Sequence, residues 1–278
     1  MATPAFRALR EHFAAAHLAV LCKPYVQPIL HGCPWFDEVI ALPGEGLRHF
    51  MRLARRVRRE RFDLAVILPN SFRSALEAWM GRVGRRVGYD RPGRHRGWLL
   101  TDPIPPPLDA AGRFVPQNMV DYYLRLCEHL GCRNLSQREE LFITHACQAR
   151  ADGLLAKYSV GADARLVGLN PGGAFGSSKL WPAARFAAVA DALAQRHGLR
   201  GILFGSPSER PILEAVAAAA KHPPILPEPG DLDLDVLKPL VSRCSLLVTN
   251  DTGARHFAVA FGVPLVCIMG STNPAYTA

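Results

Sequence analysis

The sequence predicts an α/β protein of two Rossmann-like domains whose parallel sheets face one another across a cleft. Short, near-continuous apolar runs alternate with helical patterns, and strands buried on both faces read as such runs. The alternation breaks and restarts at mid-chain. The length of 278 residues accommodates two α/β domains of ordinary size.

In chain order, 18–21, 38–42 and 64–68 read as strands, with helical patterns over 71–81 and 118–130. Pro103, Pro105, Pro106, Pro107 and Pro116 mark 101–117 as an extended surface loop. In the second half, strands are expected at 166–169, 201–204, 246–248 and 264–269. Helices are expected at 183–196, 209–221, 235–243 and 253–261. The join falls near 147–164, giving domains over 1–150 and 151–278. Thr3-Pro4 suits an N-cap and first helical position, so the chain opens on a helix where a parallel α/β domain ordinarily opens on a strand. It closes in a loop just after a strand. Both ends read as cut.

Hydrophobic residues make up 49% and charged residues 21% of the chain, as in a globular protein. No apolar run approaches the roughly 18 to 20 residues that cross a bilayer, and no secretory leader is visible. A cytoplasmic location is expected. Seven cysteines lack CxxC and zinc spacings, so neither disulfide nor metal is expected. Cys22, Cys127, Cys244 and Cys267 lie in apolar stretches and read as buried thiols.

The net charge of +9 is unevenly spread. Arginines stand at 48, 52, 55, 56, 58, 59 and 61, and again at 82, 85, 86, 91, 94 and 96. Such clusters suit an anionic partner or a solvated helix face. Aromatics do not alternate with them as base stacking requires, which argues against nucleic acid.

The chemistry concentrates where strands end. After 246–248 comes Thr249-Asn250-Asp251-Thr252-Gly253, then a helix carrying His256. Asp251 or Thr252 is expected to cap that helix, and Gly253 removes bulk at its start. Free backbone N–H groups and the helix dipole there suit a diphosphate. A second glycine-rich loop, Asn170-Pro171-Gly172-Gly173-Ala174-Phe175-Gly176-Ser177-Ser178-Lys179, lacks the spacings of dinucleotide binders and P-loops. Lys179 can set a positive charge beside a phosphate. Trp181 reads as packing. In Phe204-Gly205-Ser206-Pro207-Ser208-Glu209, Glu209 is either an acceptor for donor sugar hydroxyls or a first-turn acid favoured by the dipole. In the first half, Ser71 and Arg73 follow a strand; Arg73 suits an acceptor carboxylate or phosphate, or is an exposed side chain beside a capping turn.

Taken in order, these segments resemble the lipopolysaccharide heptosyltransferases of glycosyltransferase family nine. The matching stretches are 2–10, Leu68-Pro69-Asn70-Ser71-Phe72-Arg73-Ser74-Ala75, Val120-Asp121-Tyr122-Tyr123-Leu124, 170–176, Lys179-Leu180-Trp181-Pro182, Asn250-Asp251-Thr252-Gly253 and Gly270-Ser271-Thr272. The resemblance implies a GT-B fold with an acceptor-binding first domain and an ADP-heptose-binding second domain. It implies inverting transfer of heptose to the Kdo-lipid A inner core of lipopolysaccharide, already bearing one heptose, at the cytoplasmic face of the inner membrane. It assigns donor binding to Lys179, Asp251, Thr252, Gly253 and His256, with no metal or other cofactor; the reading of the residues adds Glu209 as a donor-binding candidate and Ser71 and Arg73 as acceptor-binding candidates. Members of the family carry a first strand and a Gly-Asp loop whose Asp is regarded as the base. That Asp is expected to lie before Met1, and a C-terminal tail is expected beyond Ala278, so little activity is expected of this chain alone. Two other readings stay open: a non-catalytic ADP-sugar-binding remnant, and a family-nine transferase for another acceptor.

Overall fold

The computed structural model describes residues 1–42, 44, 46–173, 180–270 and 275. The chain divides into two compact units. Of the described residues, the first comprises Met1–Gln27, Pro34–Gln137 and Ala275; the second comprises Pro28–Cys33 and residues 138–270. The division therefore falls at 137/138 rather than at 150, and a short early segment travels with the second unit.

In the first unit, α1 (Thr3–His12) precedes β1 (Ala19–Cys22). Its N-cap is Ala2 without a side-chain bond, so Thr3 does not cap it. A short helix α2 (Gln27–Leu30), all but its first residue belonging to the second unit, precedes β2 (Glu38–Ala41), which pairs in parallel with β1. Helix α3 (Leu47–Glu60) joins β2 to β3 (Leu64–Ile67); α4 (Phe72–Met80) follows, then β4 (Arg85–Tyr89) and β5 (Asp102–Ile104). β3, β4 and β5 form a second parallel sheet in that order. The stretch expected to be a plain loop thus holds a strand, and beyond it Leu108 and Phe114 form an antiparallel bridge. Helix α5 (Met119–His129) packs on α1. Its N-terminus is set by Asn118, whose side chain accepts from the Val120 amide.

The second unit holds one parallel sheet. Helix α6 (His145–Lys157) begins at a capping Thr144. It occupies the stretch expected to be the join, because Cys147, Ala151, Leu154 and Leu155 line one face and pack into the core. β6 (Leu166–Asn170), α7 (Ala183–His197), β7 (Arg200–Leu203), α8 (Arg210–Ala219), α9 (Leu234–Ser242), β8 (Cys244–Asn250), α10 (Ala254–Phe261) and β9 (Leu265–Ile268) follow. The strand order is β7-β6-β8-β9. β6 is buried along its whole length, which explains its uninterrupted apolar sequence. Helices α7 and α8 cover one face around Phe186, and α6, α9 and α10 cover the other around Phe257. Cys127, Cys132, Cys147 and Cys244 are buried, whereas Cys22 and Cys267 are only half-buried, contrary to the apolar context of their sequence.

The two arginine clusters have different fates. In the second, Arg85 pairs with Asp102, and Arg86 donates to the Leu99 and Val83 carbonyls. Arg96 is fully buried, donating to the carbonyls of Tyr89 (2.9 Å), Pro69 (2.5 Å) and Ser71 (3.0 Å). It is a brace for the turn after β3, not a surface charge. Burial pulls its pKa below the usual guanidinium value, against the opposing charges of Tyr122 and Asp90.

Candidate functional site

In the second unit, the turns leaving β6 and β8 are tied together at the carboxyl ends of adjacent strands, where ligands bind in open α/β sheets. Each of these strands ends in a buried Asn. Asn170 donates to Thr252 Oγ1 (3.0 Å). Asn250, with no exposure, donates from Nδ2 to the carbonyls of Pro171 (2.7 Å) and Gly172 (3.1 Å). Its Oδ1 accepts from the Trp181 amide (3.3 Å). One side chain therefore clamps both the entry and the exit of the glycine-rich loop. Lys179 and the rest of 174–179 lie outside the described residues. Trp181 packs edge-on against Phe186, with ring centroids 5.3 Å apart.

The turn into α10 departs from expectation. The N-cap is Gly253, and no side chain caps the helix. Asp251 instead pairs with Arg255 across one helical turn at 3.0 Å, both nearly buried. Thr252 faces back to Asn170 and lies 3.2 Å from Thr249 Oγ1. Among the described residues, no side chain is seen to accept from the amides of the first turn of α10. Gly253 has φ −59° and ψ −28°, which any residue adopts. Among the described residues, nothing lies within 4 Å of where its β-carbon would stand. Neither the backbone conformation nor packing among the described residues requires glycine here. Close approach by a ligand would.

Gly172 contrasts with it, since a β-carbon there would collide with the Glu209 carboxylate. Glu209 belongs to the turn after β7, where its Oε2 accepts from both the amide and the hydroxyl of Ser206 at 2.7 Å. The first-turn role foreseen for it is thus present, and it brings the carboxylate against the glycine-rich loop. His256 lies on the first turn of α10, and its Nδ1 stands 3.1 Å from Oε1 of Glu139, a residue with 8% exposure. Burial alone would raise the Glu139 carboxyl; the hydrogen bond from His256 is among the contacts that hold it below its ordinary value.

In the first unit, Ser71 caps α4, accepting from the Ser74 amide at 3.1 Å. Arg73 is exposed and reaches Glu77 (2.9 Å) and the Gly44 carbonyl (3.3 Å). Neighbouring Asn70 accepts from the Tyr122 hydroxyl at 3.1 Å. Sequence reasoning singled out neither Glu139 nor Arg96 nor the clamping role of Asn250. The available signal was a polar residue closing an otherwise apolar strand.

The model for glycosyltransferase family 9 (heptosyltransferase) matches residues 50–278. Lipopolysaccharide heptosyltransferase 2 of Salmonella typhimurium is 28% identical over all of this chain and 80% of its own length. Lipooligosaccharide heptosyltransferase 2 of Haemophilus ducreyi is 29% identical over 98% of this chain and 80% of its own. Among solved structures, a glycosyl transferase family 9 protein from Veillonella parvula aligns over 99% of this chain and 77% of its own, at a TM-score of 0.86 and 25% identity. The ADP-heptose lps heptosyltransferase II of E. coli aligns over 99% and 82%, at 0.79 and 26%.

Proposed function

The chain belongs to glycosyltransferase family 9, the heptosyltransferases, and from that premise we propose that it transfers heptose from ADP-heptose to the inner core of lipopolysaccharide. Relatives named for the second heptosyl transfer, alike over the whole of this chain, support this acceptor rather than a first-heptose or outer-core one. The donor sits over the carboxyl edge of β6, β7 and β8. Its diphosphate lies against the uncapped first turn of α10, above Thr252 and Gly253, with Lys179 reaching it from the glycine-rich loop. Asp251 acts at a remove, fixing that turn through Arg255. His256 approaches the same phosphates, and Glu209 lies beside the loop on the sugar side. Ser71 and Arg73 serve the acceptor in the first unit.

In the reaction, an acceptor hydroxyl oxygen bonds to the anomeric carbon from the face opposite ADP. The hydroxyl gives up its proton to a general base, the bond from that carbon to the phosphate oxygen breaks, and ADP leaves with inversion. The residues assigned here act on the leaving group: ammonium and helix amides stabilise the charge that builds on the departing diphosphate. A glycolipid acceptor also argues for work at the cytoplasmic face of the inner membrane.

The observation that carries this reading is Gly253, a glycine that nothing among the described residues requires, at the start of a helix without a side-chain cap. Calorimetric titration with ADP-heptose, ADP and UDP-sugars tests it. Binding of both adenine ligands at least tenfold tighter than UDP-sugars is expected. Equal affinity for UDP-sugars, or no heat with ADP-heptose, refutes it. A panel of core acceptors then reads the acceptor assignment.

A further inference from the structure

We infer that a recess on the first unit, at the carboxyl end of β4, holds a neutral pyranose ring of the acceptor by its vicinal hydroxyls. The inference deepens the acceptor assignment above and rests on it. Asp90, Arg91, His95, Gly97 and Trp98 line a recess of about 540 Å³, a size that suits a small ligand. It opens where β4 ends, and Arg96 ties it to the turn after β3 by donating to the Tyr89, Pro69 and Ser71 carbonyls. The ring of Trp98 also touches Phe72, the residue after Ser71. The recess thus adjoins the acceptor candidate that caps α4. Both stand at the carboxyl ends of paired parallel strands, the edge at which open α/β sheets bind ligands.

Two independent observations give the recess its chemistry. The first is the carboxylate of Asp90, which takes no hydrogen bond and pairs with no cation among the described residues. A β-carbon at Gly97 would collide with it, and the three nearest atoms all belong to that carboxyl group. Gly97 lies outside the left-handed region, so the approach of the carboxylate, not the backbone conformation, accounts for glycine there. An ionised carboxyl only accepts, so it suits hydroxyl donors and repels an anion. The second is Trp98. Trp79, edge-on at 5.9 Å between centroids, and Phe72, tilted at 6.2 Å, fix its ring, yet it stays 64% exposed. Its indole N–H is engaged by the His95 carbonyl at 3.1 Å, so the surface it offers is apolar and held in place. The C–H face of a pyranose packs on such a surface while its hydroxyls reach the carboxylate. Arg91, held 3.9 Å over the centre of the Phe114 ring, supplies further donors for a hydroxyl or ring oxygen. An apolar occupant would leave Asp90 unmet and an acidic one would oppose its charge; a neutral polyol suits both groups.

The test follows the indole N–H signals of the isotope-labelled chain by NMR, with Trp98 identified as the signal missing from Trp98→Phe. Methyl mannoside, methyl glucuronide and cyclohexanol are titrated in turn. The mannoside is expected to shift the Trp98 signal saturably, and cyclohexanol to leave it in place. The glucuronide should bind about fivefold more weakly, because its charge opposes Asp90. Asp90→Asn keeps the shape of the recess and should weaken mannoside binding about tenfold by removing the charge from its hydrogen bonds. Gly97→Ala, which displaces the carboxylate, should act in the same direction, with ADP affinity unchanged in both variants. The deacylated inner-core oligosaccharide bearing one heptose is then titrated into the parent and Asp90→Asn, where a loss of about tenfold is again expected. A parent that binds no oligosaccharide refutes the acceptor reading and this inference with it. Oligosaccharide held equally by parent and Asp90→Asn refutes the recess alone. Glucuronide binding as tight as mannoside, a Trp98 signal that cyclohexanol moves as far, or mannoside affinity unaltered in Asp90→Asn also overturns it.

Discussion

The amide nitrogen of Asn250 stands 2.7 Å from the carbonyl oxygen of Pro171, a residue 79 positions earlier in the chain. That bond, with its companion to Gly172 and the return bond from Trp181, sets the glycine-rich loop on the same base as the turn into α10. Asn250→Ala leaves buried carbonyls and an amide without partners, at a cost of about 2 to 3 kcal/mol. Urea unfolding is expected to show that loss, and ADP titration a parallel weakening. A variant as stable as the parent would show that the clamp contributes little.

The pairing of His256 with Glu139 makes a second expectation. A carboxylate accepting from Nδ1 sets the tautomer and leaves Nε2–H to donate to a phosphate. Glu139→Ala removes that acceptor and is expected to weaken ADP binding about tenfold. Titrating ADP into this variant and into His256→Ala with Glu139→Ala checks it; a Glu139→Ala loss that persists unchanged when His256 is already absent would assign Glu139 a purely structural part.

Acid stability should depend on Asp102. The Arg85 guanidinium, at 3.0 and 2.5 Å, is the main cause holding this carboxyl below the usual range, and His129 at 2.8 Å adds to it. A depressed folded pKa gives stability that is fully present above the unfolded value near 3.9 and is lost as pH falls through the folded one. The pair is substantially solvated, so the contribution is on the order of 0.5 kcal/mol. Asp102→Asn is expected to reduce stability by that amount at pH 7 and not at pH 2, as judged by denaturant midpoints.

Lys238 is fully buried, 2.9 Å from Asp235 and 3.0 Å from the carbonyl of His31. Lys238→Ala leaves that nearly buried carboxylate only the longer contact with His31 Nδ1 at 3.4 Å and should cost roughly 3 kcal/mol, whereas Lys238→Met with Asp235→Leu should recover most of the loss. Urea midpoints of the single and double variants decide it.

Much of the second unit is legible in the sequence because strands buried on both faces, such as β6, spell themselves as unbroken apolar runs. The first unit is less so. Arg85 and Arg86 open β4 with two charges in a row, and Pro103 sits inside β5, so both strands look like loop. In α3, arginines outnumber the three residues that pack, and the stretch reads as charge before it reads as helix. The candidate site residues divide the same way. Thr252, Gly253 and His256 could be found because they follow a strand. Glu139 could not, because its bond to His256 spans 117 residues. The expected cap at Asp251 failed for a related reason: Arg255, one turn on, competes for its carboxylate.

The central claim is that an ADP diphosphate lies against Gly253. Calorimetric titration of ADP into the parent chain and into Gly253→Val, alongside their melting curves, tests it most directly. Melting points within a few degrees of each other and an ADP affinity reduced at least tenfold are expected. Unchanged ADP affinity in a folded Gly253→Val variant would contradict the account.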